Sequence, residues 1–155
     1  ESNIEKINVV RYQNTERGGH FFSASFPEQQ NLQTEQQFIF EGIGFKVLAR
    51  DAVNVEASVP VYRFFNDSIG THFYTASESE KNAVLEIEGL QFENVVFRVF
   101  EKDFAATTPV YRFFNTLQGG HFYTASEVEK ESVLGLADFR FEGVGFYAYE
   151  ASVDF

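Results

Sequence analysis

The three histidines of this 155-residue chain are one position written three times. His20, His72 and His121 stand at matching places in a repeat, and 21 residues beyond each comes a glutamate: Glu41, Glu93 and Glu142. An arginine recurs on the strand before each histidine, at Arg11, Arg63 and Arg112. Guanidinium and carboxylate on neighbouring strands offer planar donors and acceptors, either as a polar floor for a ligand or as a part-buried pair that fixes strand register. The imidazole has three readings: it donates to a loop carbonyl, it lies beside a tyrosine of a shallow site, or three copies meet in a His₃ metal centre with one open position. The last needs loop-end histidines to point inward, and no H-x-H or H-x₃-H spacing supplies a local ligand pair. Glycoside hydrolysis needs two carboxylates in unlike environments, whereas positions repeated by symmetry give like ones. No G-x-S-x-G, P-loop, dinucleotide fingerprint or HExxH occurs. The repeated chemistry therefore points to a non-catalytic binding module. No cofactor is expected; calcium stays open, but without a D-x-[DN]-x-[DN]-G loop.

The repeat that carries these residues is plain on self-comparison. Pro60–Leu85 and Pro109–Leu134 agree at 19 of 26 positions, and a more divergent copy begins near Asn8. The copies run approximately 8–56, 57–105 and 106–155, within one domain covering 1–155. VYRFFN and HFYTA, bracketed by Asn- and Gly-containing turns, read as a hairpin. Asn14, Asn66 and Asn115 follow the first strand, where Asx turns are common. Ser25-x-x-Glu28, Ser77-x-x-Glu80 and Ser126-x-x-Glu129 fit capping boxes opening helices of roughly 8–10 residues. FIFEGIGFKVL, LQFENVVFRVF and FRFEGVGFYAY read as strand pairs broken at Glu-Gly or Glu-Asn, where positive φ and a turn or bulge belong.

Such units, too small to stand alone, are expected to pack about a pseudo-threefold axis. The expected fold is mainly β with short helices, β-trefoil-like at four strands per unit, or a three-bladed propeller-like ring. Nine of the twenty phenylalanines are then expected in core layers: Phe21, Phe73 and Phe122; Phe40, Phe92 and Phe141; Phe45, Phe97 and Phe146. No cysteine is present, which excludes disulfides and thiolate chemistry, and a net charge of −11 argues against nucleic acid. No run approaches the ~20 apolar residues of a membrane span. With no methionine, the sequence reads as a piece of a longer chain.

The string PVYRFFN…GxHFYTASExEK…FxFEGVGFYAY resembles the YRFYN…HFYT…EG(I/V)GFYA repeat of secreted bacterial proteins, a family of unknown function. The match is tight in the second and third copies. In the first, Val10, Gln13 and Phe22 replace Tyr, Phe and Tyr. Relatives of this kind sit beside cell-wall hydrolases and surface adhesins. The resemblance implies an extracellular or cell-surface location, a monomeric domain of a longer chain, and a cell-surface or cell-wall glycan as partner, with neither nucleic acid nor membrane insertion. Under that expectation Tyr74 and Tyr123 offer ring faces to a sugar. Arg63, Asn66, His72 and Glu93, with Arg112, Asn115, His121 and Glu142, bond its hydroxyls. The rival readings are a protein- or peptide-binding module and a passive structural one.

Overall fold

Alternating β-branched and aromatic residues open each copy, and each opening forms a central strand. The structure, a computed structural model, describes residues 4–151. The first copy comprises β1 (Ile7–Asn14), β2 (His20–Ser23), α1 (Phe26–Leu32) and β3 (Phe38–Val47). The second holds β4 (Ser58–Asn66), β5 (Thr71–Thr75), α2 (Glu78–Val84) and β6 (Leu90–Phe100); the third, β7 (Thr108–Asn115), β8 (His121–Thr124), α3 (Glu127–Leu134) and β9 (Phe139–Glu150). In each copy the first strand pairs antiparallel with both the short and the long strand. The long strands meet near their far ends, through Phe45↔Glu150, Phe100↔Tyr147 and a bridge Leu48↔Arg98. The result is one mainly antiparallel nine-stranded sheet with three short helices.

Local chemistry accounts for the connections. Asn14 Oδ1 accepts from the amides of Glu16 and Arg17, Asn66 from Ser68, and Asn115 from Leu117 and Gln118, so all three close Asx turns. Ser25, Ser77 and Ser126 cap their helices by accepting from the third helical amide at 3.3, 3.1 and 3.1 Å. The reciprocal half of the capping box does not form. The capping amides donate to the hydroxyls of Ser23, Thr75 and Thr124 at 3.1, 3.0 and 3.0 Å, which releases the glutamates for other work. The helices span 7, 7 and 8 residues, at or below the short end of expectation.

Two expectations are corrected. The Glu-Gly and Glu-Asn sites are not breaks between two strands; each long strand runs on through register shifts, leaving three strands per copy rather than four. Opposite Val10–Tyr12, Ile43–Phe40 carries an extra residue, and Gly42 and Gly143 take φ of 95° and 94°. A bulge and a turn use the same local residues, and here the partner strand enforces the bulge. Asn94 does not take positive φ; its Oδ1 accepts from the Val95 amide at 2.9 Å instead.

The layers differ too. Phe45, Phe97 and Phe146 do form one, with ring centroids 5.7–6.5 Å apart. Phe40, Phe92 and Phe141 do not: they are 64%, 46% and 43% exposed. A seven-residue helix is about 10 Å long and cannot cover a strand of ten or more residues, about 33 Å long. Phe21, Phe73 and Phe122 do not meet as a layer; each packs on its own copy's strands and presents its ring to the histidine and arginine of the next. The second buried layer is Phe22, Tyr74 and Tyr123, in mutual edge-to-face contact at 5.4–5.7 Å. Beyond it the loops converge. A Cβ on Gly120 would stand 3.0 Å from the Gly19 Cα, and one on Gly19 2.9 Å from the Thr71 methyl, so three equivalent positions admit one side chain.

The tyrosine hydroxyls link the copies. Tyr74 OH accepts from the Phe22 amide and donates to the Phe22 carbonyl, at 2.9 and 3.0 Å. Tyr123 OH does the same for Tyr74, at 3.0 and 2.6 Å. The third link, from position 22 to Tyr123, cannot form because phenylalanine has no hydroxyl. Phe22→Tyr is therefore expected to raise stability by about 1 kcal/mol, read from the urea midpoint. Tyr123→Phe should lower it by about 1–3 kcal/mol by orphaning the Tyr74 amide and carbonyl. A lower midpoint for Phe22→Tyr would show that the ring layer has no room for the third hydroxyl.

Candidate functional site

The bulge decides where the repeated glutamate points. In the second copy Arg63 pairs with Asn94 and Phe64 with Phe92, so Glu93 is the extra residue, re-aimed onto the arginine's face. Nε of Arg11, Arg63 and Arg112 donates to Oε1 of Glu41, Glu93 and Glu142 at 2.7, 2.8 and 2.8 Å. This is the strand-to-strand pair expected from the sequence.

The other side of each guanidinium reaches into another copy. Arg63 forks onto Glu28 of the first copy at 3.2 and 2.9 Å, and Arg112 onto Glu80 of the second at 2.9 and 2.9 Å. Arg11 closes the circuit by forking onto Glu129 of the third at 2.8 and 2.8 Å. These are the glutamates left free by the half-made capping boxes. Each guanidinium also lies over a phenylalanine of that same preceding copy: Arg11 over Phe122, Arg63 over Phe21 and Arg112 over Phe73, at 4.9, 4.9 and 5.3 Å. Sequence reasoning assigned these glutamates to capping alone; their threefold recurrence was the available signal.

The histidines complete the seams. His20, His72 and His121 hold Nε2 at 3.5, 3.4 and 3.4 Å from Glu41, Glu93 and Glu142. Their rings meet the edges of Phe122, Phe21 and Phe73. Among the described residues none donates to a loop carbonyl, and no group of three or more histidines and carboxylates is placed to hold a metal ion.

Burial opposes the charge on each guanidinium, yet the paired carboxylates hold all three above the ordinary arginine range. Burial alone would raise Glu80 and Glu129, but their arginine bonds pull both below the ordinary glutamate value. The His121 bond, with Arg112, holds Glu142 at about 2. Burial, then the Arg11 charge, lowers His20 to about 4.

Tyr74 and Tyr123 are corrected as sugar platforms: each is 2% exposed, and burial pushes both hydroxyls up. Asn66 and Asn115 have their side-chain carbonyls committed to loop amides. Arg63, His72 and Glu93 lie together in one seam and Arg112, His121 and Glu142 in another, with their polar contacts made inside the protein.

A family model described as a domain of unknown function, DUF5648, matches residues 8–151, the span of the three copies. The chain belongs to the DUF5648 family. No curated protein and no solved structure matches it. What this DUF5648 domain leaves in water is a second repeated feature, which sequence reasoning had placed in the core. Phe92 lies 6.2 Å from Tyr62, whose hydroxyl donates to Glu78 at 3.0 Å while Lys81 stands over its ring at 4.9 Å. Phe141, Tyr111, Glu127 and Lys130 repeat the arrangement. In the first copy the corresponding tyrosine, glutamate and lysine are Val10, Phe26 and Gln29, a coordinated replacement of all three polar partners.

Two measurements test the seams. Arg112→Ala should cost about 3–5 kcal/mol, because it removes three charge-assisted bonds at once and leaves Glu80 and Glu142 part-buried together. Stability should also depend on pH in two windows. The His20 value lies below its unfolded 6.5, so its contribution is complete above pH 6.5 and is lost as pH falls through 4. Glu142 lies below its unfolded 4.5, so its contribution is lost only as pH falls towards 2. His20→Asn should flatten the upper window and leave the lower one; an unchanged slope between pH 6.5 and 4 would contradict the assignment.

Proposed function

We propose that this domain is a non-catalytic carbohydrate-binding module of an extracellular or cell-surface protein, such as the ligand-binding domain of a bacterial adhesin. The observation that carries the reading is the pair of exposed phenylalanines, Phe92 and Phe141, at 46% and 43% exposure. Each lies beside a tyrosine whose hydroxyl, a glutamate and a lysine ring it with donors and acceptors. An apolar ring face next to such groups suits the apolar side of a sugar, with its hydroxyls reaching the polar rim. A chain charge of −11 favours a neutral glycan over an acidic one. The likeness to secreted bacterial repeats agrees with a surface location and a monomeric module of a longer chain, with no cofactor and no nucleic-acid partner. The three copies are read as related by a pseudo-threefold axis. Three strands per copy suit a ring of three small sheets better than a β-trefoil.

The sites proposed here move from the tyrosines and seam residues to the exposed shelves. Weak single sites would gain strength by acting together on one polymer. A passive structural role is the second reading, favoured by the seam arginines, each of which gives three hydrogen bonds to glutamates of the protein itself. A glycan array with the isolated domain separates the two. Phe92→Ala and Phe141→Ala should each weaken binding roughly tenfold or more through lost avidity, and the double variant should abolish it while the domain stays folded, its melting temperature lowered by the packing lost on Phe64 and Phe113. Phe40→Ala, on the copy without the polar rim, should bind as the parent does. An absence of any sugar bound at about millimolar affinity would favour the structural reading.

A further inference from the structure

The seams repeat the same clamp, but the loops above them are not alike. At each seam a loop residue of one copy lies over a glycine of the next: Arg17 over Gly70, Ile69 over Gly119 and Gln118 over Gly18. Two further positions flank this contact. The residue ten beyond the helix-capping serine is Glu35, Ile87 or Leu136, and the residue before the loop asparagine of the following copy is Phe65, Phe114 or Gln13. The seam from first to second copy is thus Arg17, Glu35 and Phe65, and that from third to first is Gln118, Leu136 and Gln13. Only the seam from second to third is apolar at all three positions, with Ile69, Ile87 and Phe114. There the structure has a cavity of about 430 Å³, floored by Phe73 and Leu90 and edged by the rings of His72 and His121.

We propose that this cavity is a binding site for a small neutral aromatic molecule, separate from the exposed shelves. Its volume falls in the range of small-molecule pockets, about 300–1,000 Å³. No Asp, Glu, Lys or Arg among the described residues lines the cavity, and the chain's net −11 disfavours an anionic guest. The walls already favour ring contacts. His121 meets Phe73 edge-on at 4.9 Å and lies tilted to Phe114 at 5.1 Å. Arg112 covers one face of Phe73 and Arg140 one face of Phe114, so a planar guest is offered the remaining ring edges and faces. The site exists in one copy because the repeat diverged at three positions, while the clamp beneath remained the same.

Indole is a suitable probe, followed by heteronuclear NMR titration of the whole domain. Saturable shifts are expected at Ile69, Ile87, Phe114 and His121, with a stoichiometry of one. Ile69→Arg transplants the residue that the first seam already accommodates over its glycine, and should weaken indole binding at least tenfold with the thermal midpoint retained. Ile87→Glu, at a half-exposed position where the first seam carries Glu35, gives the same result without touching the loop. Arg17→Ile with Glu35→Ile should create a second site and raise the stoichiometry to two. Indole that leaves these resonances unmoved, or binds Ile69→Arg and Ile87→Glu as it binds the parent, would overturn the proposal. Glycan binding by the shelves is read out separately and bears on neither outcome.

Discussion

Three guanidinium groups hold this molecule together, because each joins two copies through a geometry that neither copy could supply alone. Nε faces the copy's own bulge glutamate, and the two terminal nitrogens fork onto a helix glutamate of the copy before. A planar five-donor group satisfies both directions at once, while a lysine ammonium could not match the fork. The rest follows. The bulge must lie opposite the arginine to aim the first carboxylate. The helix must begin at its serine to present the second, and a phenylalanine must lie beneath the guanidinium as its apolar floor. A copy of about 50 residues has too little interior to stand by itself, so the clamp and the shared aromatic layers serve in place of a larger core.

Charge balance in the seams explains the histidines. Each guanidinium faces two carboxylates, leaving a negative excess, and the imidazole holds a ring nitrogen towards the strand glutamate at 3.4–3.5 Å. An imidazole N–H aimed at that carboxylate can donate to it. Its edge-to-face contact with the preceding copy's phenylalanine packs the remaining surface. The position that the sequence singles out as a ligand-site candidate is thus accounted for by packing and by the need to solvate a carboxylate away from water.

What the sequence revealed and what it hid divide along a physical line. Asx turns, serine caps and the strand-to-strand Arg–Glu pairs were legible because each is decided within a single copy. The cross-copy forks were hidden because Glu28, Glu80 and Glu129 already had a sufficient local explanation, and it took the competing hydroxyls of Ser23, Thr75 and Thr124 to free them. Tyr74 and Tyr123 were misplaced because the short strands are covered on both faces, by a helix and by the other copies, so alternation gave no sign of which side was wet. Phe92 was misplaced for the opposite reason: nothing in its strand shows that the helix above is too short to reach it. The bulge escaped because glycine at positive φ serves a turn equally well, and only the partner strand chooses between them.

Triplication also changes how recurrence should be weighed. A residue present in all three copies is under the common demand of closing the same seam, so recurrence at Arg63, His72 or Glu93 speaks first for assembly. Binding asks something different of a surface, and the copies are free to differ wherever the seam is not at stake. The first copy shows that freedom on the shelf, where Val10, Phe26 and Gln29 stand together in place of a tyrosine, glutamate and lysine that only make sense as a set. The loops show it again, where Arg17, Ile69 and Gln118 all cover a glycine yet leave seams of unlike polarity. Each of these differences alters several contacting residues in step while the clamp beneath keeps its geometry to within a few tenths of an ångström. In a molecule built this way, individuality belongs to the positions the repeat does not need, and those positions are where chemistry addressed to something outside the fold has room to reside.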